Sequence, residues 1–156
     1  MDVGCYPIRM FQSLFGSAPE VLEASALKSG EIDRAMSATL QFPGGPRATI
    51  LASIWSASFR LPRLTITGTE GRLSVSSPYH PQFGSTIRIW SGSGKAKQRV
   101  SRASTYTLQL EAFRDAIRNG TPLKSGLKDS LAMMQVIDAI YLKAGMQPRE
   151  PLLVRR

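Results

Sequence analysis

Two alternating runs limit this chain more than anything else in it. Met36, Ala38, Leu40 and Phe42 alternate with Ser37, Thr39 and Gln41, and after Pro43-Gly44-Gly45-Pro46 the pattern resumes with Ala48, Ile50, Ala52 and Ile54 on one face. Successive side chains of a strand point to opposite sides, so each run has one apolar and one polar face. The link is too short for a parallel crossover and rich in turn formers, so the runs form an antiparallel hairpin. A sheet with one buried face follows. Its polar face, with Ser37, Thr39, Gln41, Thr49 and Ser53, is left open and available for pairing with a second copy.

The other strands are shorter. Leu64-Thr65-Ile66-Thr67 and Arg72-Leu73-Ser74-Val75 flank a turn at Gly68 and Gly71, where glycine is expected to supply a positive φ. Ile87-Arg88-Ile89-Trp90 reads as a further strand, and Val21 to Leu27 as a less periodic one. Few of these runs are separated by the dozen or more residues of a parallel crossover, so the sheet is largely antiparallel.

Helical periodicity appears at both ends. Ile8, Phe11 and Phe15 share a face with Met10 and Leu14 beside them; Pro7 belongs in the first turn and Gly16 ends the helix. Tyr106, Leu110, Phe113 and Ile117 form a second stripe, closed by Asn119-Gly120 and Pro122. From Leu127 to Ala144 there are two stripes, Leu131, Met134 and Tyr141, and Met133, Ile137, Ile140 and Ala144, so this helix is the more buried, with Gly145 at its cap. The order helix, strands, two helices predicts an α+β fold: an open, largely antiparallel sheet with helices packed on one face. With 42% hydrophobic residues in 156, one domain over residues 1–147 and a basic tail over 148–156 are expected.

Several chemistries are excluded. One cysteine, Cys5, and one histidine, His80, cannot build a zinc site or a disulfide within the chain, so no metal site is assigned. Met1-Asp2-Val3-Gly4-Cys5 lacks the basic and apolar regions of a signal peptide, and no apolar run approaches the roughly 18 residues of a membrane span. The expectation is a soluble, cytoplasmic domain with no membrane partner. An amphipathic segment begins at residue 2 without a lead-in, as expected of a sequence cut from a longer one.

The formal net charge of +9 favours acidic partners in general. Lys95, Lys97, Arg99 and Arg102 are its densest patch, but no aromatics are interleaved for base stacking, so a solvated edge strand is favoured over nucleic acid. Gly92-Ser93-Gly94-Lys95 fails as a phosphate loop, because Ile89 and Lys97 stand where the two glycine fingerprints need Gly. His80 lies between Pro78 and Pro81 with no neighbouring carboxylate to orient its ring, and no role is assigned to it.

Asp2 and Tyr6 are four residues apart, so a helical start puts carboxylate and phenol on one side. A phenol titrates near pH 10 and needs a cation or a desolvated site to work near neutrality; Arg9 reaches it only if the helix begins early. Asp2 as a helix N-cap and Tyr6 as a core or interface aromatic fit the same residues.

Asp2-Val3-Gly4-Cys5-Tyr6-Pro7 resembles the D-x-G-x-Y segment of the glucose-fructose oxidoreductase / inositol dehydrogenase / MocA family (Gfo/Idh/MocA), in its dihydrodiol dehydrogenase-like branch. Ile66 to Leu73 is similar to that family's G-T-x-G turn. Tyr106 to Phe113, Ala116 to Gly120, Asp129-Ser130-Leu131 and Val136 to Tyr141 are similar to its closing helices. The resemblance implies the family's second domain, which carries substrate contacts and usually the oligomer interface. The first, Rossmann domain is absent, since neither G-x-G-x-x-G nor Glu-Lys-Pro occurs. It further implies that Tyr6 is the catalytic tyrosine exchanging a proton at the substrate carbonyl, and that Asp2 is the acidic residue positioning substrate. NAD or NADP would serve the complete enzyme, and no cofactor is expected to bind this chain alone. The implied partners are a carbohydrate-like small molecule (sugar, polyol or diol) and a homo-oligomer through the sheet face. A basic nucleic-acid-binding module and a purely structural dimerisation domain are the competing readings.

Overall fold

The computed structural model describes residues 1, 3–16, 18–55 and 62–148. Helix α1 (Cys5–Phe15) is followed by strands β1 (Glu20–Ser29), β2 (Ile32–Gln41), β3 (Arg47–Ser53), β4 (Arg63–Gly68), β5 (Gly71–Ser76), β6 (Thr86–Ser91) and β7 (Gly94–Arg99), then helices α2 (Thr105–Asn119) and α3 (Leu127–Lys143). The α+β class expected from the sequence holds, and every strand pair is antiparallel. The strands divide into two sheets, β1-β2-β3 and β4-β5-β6-β7. Correspondingly, the chain forms two compact units, one of residues 1–57 with 125–156 and one of residues 58–124. Of the basic tail, residues 149–156 lie outside the described residues.

In the first unit the hairpin has the expected register, from Ala35 opposite Ser53 to Gln41 opposite Arg47. Gly44 and Gly45 turn the chain at φ +83° and +103°, and the Phe42 N–H donates to the Pro46 carbonyl at 2.8 Å. The alternation puts Met36, Ala38, Leu40, Ala48, Ile50 and Ala52 on the buried face, which α1 and α3 cover. Ile8 of α1 and Ile140 of α3 join Met36, Leu40 and Phe42 as the largest fully buried side chains. The weak periodicity of β1 has a cause: its pairing with β2 slips between Val21 and Glu23, where Leu22 is extra, while a second slip between Leu27 and Lys28 leaves Arg34 extra in β2. Each irregularity adds a residue to one strand and breaks the period of two.

In the second unit β7 is an edge strand with all six residues exposed, and Gly92-Ser93 turn β6 into it, so the glycine-lysine segment is a hairpin tip. The turn between β4 and β5 departs from expectation. Gly68 pairs with Gly71, yet neither has a positive φ. Gly71 is required for a different reason: a Cβ there would lie 2.2 Å from the Trp90 carbonyl oxygen, so β6 approaches too closely for any side chain. His80 is exposed beside Phe83, with ring centroids 6.2 Å apart. No residue of α2 is buried, whereas α3 buries Val136, Ile137, Ile140 and Tyr141.

The inner and outer faces of α3 should respond very differently to truncation. Ile140→Ala, at a fully buried position, is expected to lower unfolding free energy by about 2–5 kcal/mol. Leu142→Ala, two residues on and 58% exposed, should change it by no more than about 0.5 kcal/mol. Urea unfolding of the two variants measures the difference.

Candidate active site

The segment holding the expected site residues is organised by α1. Its apolar face is held through Ile8, Phe11 and Phe15; the Phe15 ring lies 4.8 Å from Phe42 and stacks on Phe11 at 6.2 Å. Two residues along a helix differ by about 200°, so Tyr6 faces away from Ile8, and it is 55% exposed. Tyr6 is therefore not a core aromatic but a surface phenol on the first turn of a firmly seated helix. Asp2 lies outside the described residues, and the position before α1 that an N-cap would take is Gly4.

The helix does begin early enough to include Arg9, one turn after Tyr6. Arg9 reaches across to α3, where its Nη1 lies 3.4 Å from Asp129 Oδ1. The second oxygen of Asp129 accepts the Gly126 N–H at 2.9 Å and so satisfies one of the donors left free at the start of α3. That backbone hydrogen bond, with the charge of Arg9 added, holds the Asp129 carboxyl below the ordinary carboxylate range despite some desolvation. Exposed pairs of this kind contribute little stability. The consequence is geometric: one carboxylate caps α3 and ties α1 to it.

A second polar cluster lies in the same unit. Asp33 at the start of β2 accepts a hydrogen bond from the Tyr141 hydroxyl of α3 at 2.5 Å, and the Met1 amino group lies 3.1 Å from the same oxygen. The Met1 amino group also contacts the Tyr141 hydroxyl. Burial raises the Asp33 pKa, but the hydrogen bonds from Tyr141 and Met1 outweigh it, and the net position is below the ordinary value.

The sequence did not disclose Arg9–Asp129 or Asp33–Tyr141, because both join residues far apart in the chain. Only the helix-start position of Asp129 is a local signal. No group of three or more His, Cys, Asp or Glu residues able to hold a metal occurs among the described residues. None of the described helices is long and apolar enough to cross a membrane. The usual dinucleotide cradle, a glycine-rich turn from a parallel strand into a helix, does not occur among the described residues, where every strand pair is antiparallel.

Comparison with known proteins bears on this geometry. The family profile described as the GFO/IDH/MocA C-terminal domain matches residues 1–74, which include α1 and β1 to β4. Over 152 residues the chain is 37% identical to the uncharacterized oxidoreductase ORF334 of Rhizobium meliloti, covering 92% of this chain and 45% of that protein. The chain belongs to the Gfo/Idh/MocA family.

A second relative, the D-xylose 1-dehydrogenase (NADP(+)) 2 of Haloferax volcanii, is 25% identical over 148 residues, again 92% of this chain and 45% of that protein. The chain thus spans about half the length of the curated relatives it matches. In fold it is similar to a 3-ketoreductase from Actinomadura kijaniata solved with TDP-benzene and NADP, with a TM-score of 0.78, 19% identity, and coverage of 94% of this chain and 46% of that one. The family match covers the helix bearing Tyr6; of the segment that resembles D-x-G-x-Y, Cys5 and Tyr6 belong to α1, Tyr6 is exposed, and Gly4 just before the helix is buried.

Acid sensitivity follows from Asp33. Its folded pKa is depressed, so its stabilising contribution is present above the unfolded value of about 3.9 and disappears as pH falls through the lower folded value. Asp33→Asn should flatten the dependence of melting temperature on pH below about pH 4. Tyr141→Phe, which removes one donor, should move the acid transition to higher pH. Thermal melts between about pH 2 and pH 7 give the comparison.

Proposed function

We propose that this chain is the substrate-binding and oligomerisation part of an NAD(P)-dependent oxidoreductase acting on a sugar, polyol or diol-like substrate in the cytoplasm. The observation that supports the reading is the exposure of Tyr6, the tyrosine of the segment that resembles the family's D-x-G-x-Y, on a helix seated by Phe42 and tied to α3. Named relatives support the substrate class: one is a D-xylose dehydrogenase that uses NADP, and the ketoreductase of similar fold was solved with NADP. The diol-like end of that range follows from the dihydrodiol dehydrogenase-like branch of the resemblance.

In this reading the Tyr6 hydroxyl donates a proton to the substrate carbonyl oxygen in reduction and accepts it from the alcohol in oxidation. Asp2, four residues earlier, hydrogen-bonds a substrate hydroxyl and fixes its orientation. Proton transfer needs a phenol held in place before substrate arrives, which the attachment of α1 supports for Tyr6. In this reading the cofactor, NAD or NADP, is bound by the complete enzyme, and no binding of it by this chain alone is expected. Redox turnover by the chain alone is not expected.

The open face of β1-β2-β3 supports the oligomerisation part. Two of its rows, Ser25–Ser37–Leu51 and Leu27–Ala35–Ser53, carry no charge, with Glu23 in the neighbouring row of Thr39 and Thr49, and Leu51 projects from them, 79% exposed. Light scattering of the chain is expected to show a dimer that Leu51→Arg converts to monomer; a wild-type chain that stays monomeric removes the pairing from the proposal.

Activity is tested by joining the chain to the part of ORF334 outside the match and assaying it with D-xylose and NADP. Tyr6→Phe should lower kcat by about 10²–10⁴-fold, the usual range for a lost acid-base group. Unchanged turnover would remove Tyr6 from its role, and tight stoichiometric binding of NADPH to the unjoined chain would contradict the absence of a cofactor seat.

A further inference from the structure

We infer that the polar face of the β4-β5-β6-β7 sheet binds single-stranded nucleic acid. The inference goes beyond the oxidoreductase reading and does not rest on it: the face is built entirely within the unit of residues 58–124, and Tyr6 belongs to the other unit. Residues 58–124 hold eleven of the 20 Lys and Arg but three of the 11 Asp and Glu, so nearly all of the net charge of +9 originates there.

The strand register gathers six of these cations on one face, in three rows of four residues. Arg88 stands beside Lys97 in the middle row, Trp90 stands between Arg72 and Lys95 in the next, and Arg63 and Arg99 end the third. The remaining positions are Ser or Thr, so every side chain of the face can donate a hydrogen bond and none is a carboxylate. Among the described residues none of the six cations is ion-paired. The opposite face carries Leu64, Ile66, Leu73, Val75, Ile87 and Ile89, which makes that side the sheet's apolar, core-forming one. Protection of an edge accounts for the charges on β7, but not for Arg72 and Arg88, which stand on the two interior strands. Covering the face with neutral protein would strip unpaired cations of water, so the occupant that fits is a polyanion. Trp90 narrows the choice: between Arg72 and Lys95 it offers a base a stacking surface flanked by phosphate-binding groups. The segment from Lys95 to Arg102 has no aromatic of its own, and the register supplies one from β6. Four strands about 4.8 Å apart are about 14 Å across, wider than the roughly 12 Å major groove, so the face suits one strand laid across it and not a duplex. A bilayer surface calls for several apolar side chains beside the cations, and Trp90 stands alone among hydroxyls.

The test titrates the 156-residue chain into a labelled oligothymidylate of about 12 nucleotides and reads anisotropy at about 50 and about 200 mM salt. The expected result is binding that weakens about 50-fold at the higher salt, as for about four phosphates of a single strand. Arg88→Gln with Lys97→Gln should weaken binding at least about tenfold at the lower salt and reduce the salt effect to about sevenfold. Lys128→Gln with Lys143→Gln removes the same charge from α3, in the other unit, and should change binding less than about twofold. In a Trp55→Phe chain Trp90 is the one tryptophan left, and the oligonucleotide should quench its fluorescence. Trp90→Leu should weaken binding by about tenfold.

No binding at the lower salt overturns the inference. Equal weakening by the α3 pair also overturns it, because net charge without the sheet face would then suffice. Binding that neither quenches Trp90 nor weakens in Trp90→Leu overturns the nucleic-acid assignment in favour of phosphate chemistry alone. Sedimentation with vesicles of about 30% phosphatidylserine, without binding of the oligonucleotide, overturns it in favour of a membrane surface.

Discussion

Phe42 is the residue on which the first unit depends. It ends the apolar series of β2, it is almost wholly buried, and its ring meets Phe15 at 4.8 Å and Phe11 at 6.5 Å. Tilted aromatic contacts of this kind add to the large apolar area that each ring removes from water. They fix the C-terminal half of α1 to the turn of the hairpin. Arg9 and Asp129 fix the helix from the other side, against the start of α3. Two attachments at different heights leave the first turn of α1 little freedom, and Tyr6 stands on that turn, facing away from both Ile8 and Phe42.

What could be read in the sequence was what local periodicity encodes. The β2–β3 hairpin was legible because apolar residues alternate without interruption on both sides of a Pro-Gly-Gly-Pro turn, and the same period sorts the buried from the open face. The three helices were legible from their stripes. β1 is faint because an extra residue, Leu22, interrupts its period, and Gly71 was assigned to its turn for the wrong reason because the Trp90 carbonyl that excludes a side chain comes from another strand. The division into two sheets could not be read, since periodicity says which residues share a face and nothing about which strands pair beyond the next turn. For the site, Tyr6 and the early start of α1 were within reach, while its brace was not: Arg9 and Asp129 each look like an ordinary surface charge until α1 and α3 are packed together.

The two sheets meet solvent in different ways, and the difference gives the net charge a structural meaning. β7 is an edge with unpaired backbone groups, the arrangement most open to pairing with another strand. Lys95, Lys97 and Arg99 alternate along it, all exposed, so that a second copy approaching in register would bring like charges together. Part of the +9 charge is thereby accounted for by protection of an edge, without an acidic ligand. The open face of β1-β2-β3 has the opposite character at its centre. Ser25 and Ser37 satisfy each other at 2.8 Å, and the neighbouring Leu51, Leu27, Ala35 and Ser53 add no charge. A contact centred on these rows would meet one flanking charge, Glu23 in the row of Thr39 and Thr49, whereas pairing along β7 would set several like charges against one another.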